Sequence, residues 1–260
     1  MNIKALITNK SLAFPWLLFG LFGLTGCSQY QTRLEVEHPG KYELVNLGTA
    51  AVAGHTMRVT KAHDKIFYSH LGVLGPTFFS VFLLEHTEVR EGESVLDIGT
   101  GSGVQAVYAA EKASHVLATD VYDMALENTM INARKHGVEN KIEVRMSDLF
   151  NDIKPEETFD VIIASIPYAW NEKTQQYWAL QERFFDDVGK HLNPEGRLYF
   201  LSGLLANLPR NQEFIERNGL KIMRVNMAYD AETNLEPIVY TIQHRPKPKP
   251  DEAKADSESK

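Results

Sequence analysis

The stretch Val95-Leu96-Asp97-Ile98-Gly99-Thr100-Gly101-Ser102-Gly103 decides the fold of this chain. Its first four residues predict a short buried strand that contains one acidic side chain, and its glycines predict a sharp turn into a helix beginning near Val104. Alternate glycines let the backbone approach a ligand closely, while the free N–H groups of the following helix face the same cleft. The pattern therefore predicts a site for a nucleotide-like cofactor.

Two classes of cofactor are compatible with this turn. The segment Gly101-Ser102-Gly103-Val104-Gln105-Ala106 fits the dinucleotide pattern G-x-G-x-x-G/A, which leaves a nicotinamide- or flavin-dependent oxidoreductase open. The whole stretch resembles the first motif of class I S-adenosylmethionine-dependent methyltransferases, in which the glycines pack against the methionine part of the cofactor and the acid of the strand helps to hold it. The resemblance extends over residues 93–245. It implies a set of cofactor-binding residues in the turn, namely Asp97, Gly99, Gly101 and Gly103.

Strands and helices alternate after this turn, which is the pattern of a parallel sheet with crossover helices. Two apolar runs, 220–227 and 237–244, have no helix between them and are expected to pair antiparallel, an ending typical of methyltransferases rather than of dinucleotide dehydrogenases. The expected fold is α/β: a doubly wound, Rossmann-like, mostly parallel seven-stranded sheet with an antiparallel last strand. Further strands are predicted over 115–120, 141–146 and 159–165. A turn at 193–196 is predicted to lead into another strand over 197–201. Helices are predicted over 104–113, 125–135 (with Leu126, Met130 and Ala133 on one face), 176–191 and 210–218.

Acidic residues follow two of these strands, at the edge where ligands bind in open α/β sheets. Asp120 lies where a carboxylate can accept hydrogen bonds from both ribose hydroxyls; the alternative is a surface acid that caps the next helix. By resemblance, Asp148 accepts a hydrogen bond from the adenine amino group, with Leu149 against the ring, although such an acid is also a common turn residue. The buried Asp97 is expected to have donors from the turn or from the cofactor's ammonium group. The cofactor-binding residues predicted here are Asp120, Val121, Asp148 and Leu149.

The segment Ser165-Ile166-Pro167-Tyr168 follows the predicted fourth strand. It resembles the [Asn/Asp/Ser]-Pro-Pro-[Tyr/Phe] motif of methyltransferases that modify planar or amide nitrogens. The resemblance implies that Ser165 and the Ile166 carbonyl accept the N–H bonds of the target nitrogen, while Tyr168 stacks on the flat target group. Ile166 departs from the family's proline, which removes a rigidity constraint. The alternative for this segment is an ordinary strand-to-loop junction. Trp170, just downstream, is expected to line the acceptor pocket; the alternative is an ordinary exposed or core tryptophan.

The N-terminus carries an export pattern. Lys4 and Lys10 precede the apolar run 12–24, and Leu24-Thr25-Gly26-Cys27 ends it with small residues before the single cysteine of the chain. This resembles a bacterial lipoprotein signal, which implies cleavage before Cys27, its diacylation and attachment of the protein to a membrane. Ser28 implies sorting to the periplasmic face of the outer membrane in a Gram-negative cell. A transmembrane anchor is disfavoured, because the run is shorter than the ~20 residues that span a bilayer.

The predicted organisation is a signal peptide over 1–26, a tether over 27–54, an N-terminal cap over 55–92, a methyltransferase domain over 93–245 and a disordered tail over 246–260. The cap is expected to contain a strand at 57–59 and a helix over 68–84 that is broken at Gly75-Pro76. The cap also contains four histidines without the spacing of a metal motif, so no metal site is expected: His55, His63, His70 and His86.

Composition narrows the classes of function. The chain has 260 residues, 43% of them hydrophobic and 23% charged, which is ordinary for a globular protein with one substantial core. Its net charge of −7 disfavours a broad phosphate-binding surface and therefore disfavours nucleic acid as a partner.

Three hypotheses of function remain open. The first is a membrane-anchored methyltransferase that uses S-adenosylmethionine to methylate a nitrogen of a protein or small molecule. The second is a scaffolding lipoprotein that has the fold without turnover; it is favoured by Ile166 and by an export signal that leads away from the cytoplasm, where the cofactor is made. The third and weakest is a nicotinamide-dependent oxidoreductase, which depends on the dinucleotide pattern over 101–106.

Overall fold

The glycine-rich stretch folds as a strand, a turn and a helix, as predicted. The computed structural model describes residues 33–37, 43–169, 171–203, 207–229 and 236–246, all within one compact unit, Thr32–Lys260. The described strands are β1 (Arg33–Glu37), β2 (Leu44–Val52), β3 (His55–Ala62), β4 (Lys65–His70), β5 (Ser94–Ile98), β6 (His115–Asp120), β7 (Ile142–Met146), β8 (Phe159–Ala164), β9 (Leu192–Gly203), β10 (Leu220–Ala228) and β11 (Pro237–His244). The described α-helices are α1 (Phe78–Glu85), α2 (Val104–Ala109), α3 (Asp123–Lys135), α4 (Tyr177–His191) and α5 (Leu208–Arg217), and short 3-10 turns span Glu139–Lys141 and Glu172–Thr174.

Eight strands form one sheet in the order β1-β10-β11-β9-β8-β5-β6-β7. Neighbouring strands are parallel except at β11, which runs antiparallel to both β10 and β9. The predicted fold class, a mostly parallel, doubly wound sheet with an antiparallel last strand, is therefore confirmed. The sheet has one strand more than the predicted seven, because β1 pairs with β10 and covers backbone groups that an edge would expose.

Helices cover both faces of this sheet, and each face has its own apolar core. Along β5, Leu96 and Ile98 belong to one core and Val95 to the other, as the alternation of side chains in a strand requires. The first core lies under α4 and α5 and contains the stacked rings of Phe184 and Phe200, 5.5 Å apart. The second core lies under α1, α2 and α3. Because β5 is buried on both faces, the position of the turn that follows it is fixed.

The predicted helix over 68–84 is wrong in its first part. Residues at its start belong to β4, which pairs with β3 in a separate antiparallel sheet of order β2-β3-β4. Helix α1 begins only after Pro76, where Thr77 accepts a hydrogen bond from the Ser80 N–H in a capping box. The apolar residues of β4 alternate between faces, so their hydrophobicity serves a strand and not a helix.

Other boundaries differ by a few residues. Helix α2 ends at Ala109 rather than at 113. The predicted turn at 193–196 lies within the bounds of β9, where the register of β9 against β8 shifts. The predicted apolar residues of α3 are buried to different degrees: Ala133 lies in the core, Met130 packs against it, and Leu126 is half-buried. The fully buried face of α3 is largely polar and consists of Ala125, Asn128, Thr129, Asn132 and Ala133.

Two strands, β1 and β2, fall in the range 27–54 that was predicted to be a tether. None of the helices described between residues 43 and 246 is long and apolar enough to cross a membrane. Several predictions lie outside the described residues: the signal over 1–26, Cys27, Trp170 and the tail after residue 246.

Candidate active site

The three glycines of the turn have positive φ angles, 75° at Gly99, 53° at Gly101 and 79° at Gly103. A Cβ on Gly99 would lie 2.7 Å from the Ser165 carbonyl oxygen, and a Cβ on Gly103 would lie 2.9 Å from the backbone of α3. At Gly101 the nearest atom to such a Cβ is the Leu74 carbonyl oxygen, at 3.5 Å. The outer glycines are thus required by packing against the protein itself, whereas a Cβ on Gly101 would make only an ordinary contact, so Gly101 is favoured by its positive φ angle.

Asp120 binds this turn directly. Its two carboxylate oxygens accept hydrogen bonds from the backbone N–H groups of Gly101 and Tyr122, each at 3.1 Å. A carboxylate has about four lone-pair sites, so acceptor capacity remains for a ligand. The side chains of Val121 and Tyr122, next along the chain, are exposed. The end of β6 therefore presents a charged acceptor beside an exposed apolar surface.

Asp97 lies fully buried beneath the turn. Neither carboxylate oxygen has a hydrogen bond of normal geometry to a described residue. Burial raises the pKa of Asp97 to about 7, and the Thr100 side chain, the charge of Asp120 and the Ala106 N–H have smaller effects. A buried carboxylate without a partner is costly, so this position fits a cationic ligand group such as an ammonium.

The polar face of α3 ties the turn to the N-terminal sheet. The Nδ2 group of Asn132 donates to the carbonyl oxygens of Tyr68 and Ser102, at 2.7 and 2.8 Å, and its Oδ1 accepts from the Tyr68 N–H at 2.8 Å. One turn earlier, the Oδ1 of Asn128 accepts from the His70 N–H at 2.7 Å. These fully buried amides hold the end of β4 and the glycine-rich turn at a set distance.

The segment between β4 and α1, residues 71–77, covers the glycine-rich turn and is called here the covering loop. The Arg58 guanidinium donates to the carbonyl oxygens of His70, at 3.3 Å, and of Val73. The Leu74 carbonyl faces Gly101, while the Leu74 side chain is 74% exposed. The covering loop thus closes one side of the site and presents an apolar side chain to solvent.

Asp148 and Leu149 lie at the end of β7, on the far side of Asp120. Asp148 forms an exposed ion pair with Arg183 of α4, with 2.7 Å between Oδ2 and the guanidinium nitrogen. Leu149 is buried and has a φ of 55°, which is unusual for a residue other than glycine. The Arg183 partner was not expected from sequence, and it shares the carboxylate with any ligand that Asp148 binds.

The four residues 165–168 follow β8 beside the glycine-rich turn. The Ser165 N–H donates to the Ile98 carbonyl at 3.1 Å, so the segment starts as an extension of the β5–β8 pairing. Ser165 is half-buried, the Ile166 side chain belongs to the apolar core, and Pro167 is exposed.

Tyr168 is held on two sides. Its ring stacks on Phe79 of α1, with 6.2 Å between ring centroids, and it packs so closely on Gly203 that a Cβ there would lie 2.5 Å from the phenol oxygen. Burial raises the pKa of Tyr168 to about 12, so its hydroxyl keeps its proton at neutral pH.

The structure thus brings the predicted residues of β5, β6 and β8 together at one edge of the sheet. The unpartnered Asp97 carboxylate and the Asp120 carboxylate fit S-adenosylmethionine, which carries an ammonium group and two ribose hydroxyls. Among the residues described from 43 to 246, no three His, Cys, Asp or Glu side chains are grouped so as to hold a metal ion.

The order of the sheet, its antiparallel β11 and this site define a class I methyltransferase fold. The profile of the methyltransferase small domain family matches residues 68–214, more than half of the chain, and the chain belongs to this family. The predicted class, an S-adenosylmethionine-dependent methyltransferase, is therefore confirmed at the level of the family.

Individual relatives match a smaller part. The chain is 34% identical over 130 residues to a ribosomal protein L11 methyltransferase of Lactobacillus johnsonii, covering 50% of this chain and 37% of the relative. It is 38% identical over 81 residues to a release factor glutamine methyltransferase of Rhodopirellula baltica, covering 30% and 27%. Its fold is similar to the crystal structure of a ribosomal protein L11 methylase from Lactobacillus delbrueckii subsp. bulgaricus, with a TM-score of 0.54, 23% identity and coverage of 68% and 84%. The chain thus spans less than half the length of the two relatives compared by sequence.

Sequence reasoning missed several residues that shape the site. The polar spacing of Asn128 and Asn132 on α3 was a usable signal, because residues four apart share a helix face. Arg58, Phe79 and Asn207 gave no such signal, since their contacts join distant parts of the chain.

Proposed function

We propose that this chain is an S-adenosylmethionine-dependent methyltransferase that transfers a methyl group to a nitrogen of a protein acceptor. The observation that carries the proposal is the contact between the glycine-rich turn and the 165–168 segment. The Ser165 carbonyl lies against Gly99, so a cofactor on the glycine-rich turn and an acceptor on the 165–168 segment would be neighbours. Such proximity is a large part of catalysis in group transfer.

Four groups would bind the cofactor. The Asp97 carboxylate would pair with its ammonium group, the Gly101 backbone, which has no side chain, would pack against its methionine part, and Asp120 would accept hydrogen bonds from its ribose. Val121 offers an exposed apolar contact for the adenosine. S-adenosylmethionine, when bound, supplies an electrophilic methyl group on a positively charged sulfur.

The 165–168 segment would orient the acceptor. Ser165 and the Ile166 carbonyl would accept the N–H bonds of the target nitrogen and so aim its lone pair along the direction of transfer. Tyr168, whose ring packs on Phe79 and Gly203, would line the acceptor pocket, and its high pKa makes it a packing surface and not a base. As the new N–C bond forms, the bond between the methyl group and the sulfur would break, S-adenosylhomocysteine would leave, and the acceptor nitrogen would lose one proton to solvent.

A protein acceptor is supported by the relatives, two of which are named for methylation of ribosomal protein L11 and of a release factor. The net charge of −7 also fits a polypeptide better than a nucleic acid. The family match and the antiparallel β11 favour this proposal over the oxidoreductase alternative.

Binding of cofactor is the first test. The full chain, purified in a mild detergent, is titrated by calorimetry with S-adenosylmethionine, S-adenosylhomocysteine and NAD. We expect micromolar binding of the first two, about −8 kcal/mol, and its loss in Asp120→Ala, with Asp152→Ala at an exposed position as control. A folded protein that binds none of the three would support a scaffolding lipoprotein instead, and binding of NAD alone would support the oxidoreductase.

We further propose that a lipid on Cys27 anchors the protein to a membrane, at the periplasmic face of the outer membrane in a Gram-negative cell. The support is the order of basic residues, apolar run and lipobox-like Leu24-Thr25-Gly26-Cys27. Labelling with a radioactive fatty acid should mark the wild-type protein and not Cys27→Ala, which should also leave the membrane fraction. Unchanged membrane partition of Cys27→Ala would refute the anchor.

A further inference from the structure

The side chain of Asn207 has hydrogen-bond partners that are unusual for its position. It is the residue that precedes α5, and asparagine is among the best residues for capping a helix with its own side chain. Its side chain makes no such cap. Instead, its buried Nδ2 group donates to the carbonyl oxygens of Ala169, at 2.6 Å, and of Gly203, at 3.2 Å.

One of these carbonyls lies in the segment that follows β8, and the other ends the neighbouring strand β9. Ala169 closes the turn over residues 165–169 that follows β8, and Gly203 is the last residue of β9. The Tyr168 ring packs on the same Gly203, with its hydroxyl 2.5 Å from where a Cβ would stand. One amide group therefore crosslinks the 165–169 turn to the strand that supports its aromatic side chain.

We propose that Asn207 is a positioning residue that holds the 165–169 turn in its active conformation. A proline at position 166 would make the backbone rigid from within, and Ile166 does not. A side-chain amide bound to two carbonyls would restrict the same residues from outside. This inference rests on the proposed function, since the turn is the segment that would orient the acceptor nitrogen. Asn207 itself would touch neither cofactor nor acceptor.

The substitution Asn207→Asp tests this without changing side-chain size. It replaces the Nδ2 donor with an oxygen that faces two carbonyl oxygens. Asn211→Asp is the matched control, because Asn211 lies one turn later on α5 and donates to Ser202 and Tyr240, at 3.3 Å each, and not to the turn.

Hydrogen exchange of the full chain in detergent gives a readout that does not depend on activity. In Asn207→Asp we expect exchange of the Ser165, Ile166, Tyr168 and Ala169 amides to accelerate by about tenfold or more, with β10 and β11 unchanged. In Asn211→Asp we expect unchanged exchange in the turn. Should Asn207→Asp fail to fold, Asn207→Ala is measured in the same way.

Kinetics separate positioning from general stability. With recombinant L11 or release factor as acceptor, Asn207→Asp should lower kcat by about 10- to 100-fold, while its Kd for S-adenosylhomocysteine stays within about twofold of wild type. Exchange that is unchanged in the turn, or that rises equally in β9, β10 and β11, would overturn the proposal. If wild type transfers no methyl group, the proposed function fails by itself, and the exchange result still decides whether Asn207 holds the turn.

Discussion

The carbonyl oxygen of Ser165 lies 2.7 Å from the point where a Cβ on Gly99 would stand. Gly99 must therefore remain glycine for two reasons, its φ of 75° and this close approach. The backbone of the 165–168 segment packs on the glycine-rich turn, so a change at Gly99 disturbs both.

Gly99→Ala should destabilise the protein by about 3 kcal/mol, because the strain of a left-handed alanine adds to overpacking. Gly92→Ala is the control: Gly92 has a φ of 80° but nothing within 4 Å of a Cβ, so we expect a cost of about 1 kcal/mol. Urea unfolding measures both. Equal losses in the two variants would show that the contact with Ser165 contributes nothing.

Asn132→Ala should weaken both the fold and cofactor binding. The substitution leaves the Tyr68 N–H and the Ser102 carbonyl without their side-chain partner, while the Tyr68 carbonyl keeps its hydrogen bond from Asn128, at a cost of about 3 kcal/mol. The exposed Arg134 on the same helix supplies the control, since Arg134→Ala should stay within about 0.5 kcal/mol of wild type. Thermal denaturation and titration with S-adenosylhomocysteine check the two effects.

Asp97 predicts a pH dependence of stability. Burial raises its folded-state pKa to about 7, above the value of about 3.9 for an unfolded aspartate. Between these values the folded protein holds a proton that the unfolded chain has released, so the linked stability is complete below about pH 4 and is lost as the pH rises to 7. The ligand-free wild type should lose melting temperature relative to Asp97→Asn across this window.

Asp97 also predicts a pH dependence of binding. Affinity for S-adenosylhomocysteine should increase as the pH passes 7, because the ionised carboxylate can pair with the ligand's ammonium group. Asp97→Asn should lack this increase. An increase that persists in Asp97→Asn would assign it to another group.

The ion pair of Glu93 with Arg197 is buried, whereas the ion pair of Asp148 with Arg183 is exposed. Glu93 pairs with Arg197 at 2.7 Å, and their side chains are 15% and 9% exposed. Glu93→Gln should cost about 3 kcal/mol, because the guanidinium stays buried without its carboxylate. Asp148→Asn removes the exposed pair with Arg183 and should cost less than about 1 kcal/mol. Chemical denaturation distinguishes them, and similar losses in both would contradict the role assigned to burial.

The elements after the glycine-rich turn could be predicted closely, and those before it could not. The strand over His115–Asp120 and the antiparallel pair β10 and β11 follow from local patterns of alternation and turn residues. The segment over 68–77 was assigned to a helix because its apolar residues have no decisive period. Its strand β4 forms only because β3 supplies a partner.

The candidate site divides in the same way. Asp97, Asp120 and the three glycines were found because a strand end and a glycine turn leave a recognisable order in the chain. The Arg183 partner of Asp148 lies 35 residues away, and nothing near Asp148 in the sequence indicates it. The buried polar face of α3 was missed for a similar reason, because Asn128 and Asn132 bond to backbone groups of β4, which no pattern within the helix indicates.

The sequence by itself determined the class of fold, the glycine-rich turn and the family of the protein, because these depend on spacing between neighbouring residues and on backbone angles that few residues adopt. The tertiary structure decided which groups hold the two turns together. Asn207 reaches Ala169 across 38 positions, and Asn132 reaches Tyr68 across 64. Side-chain bonds to distant backbone groups have no period, so they become visible only when the sheet has brought their partners together.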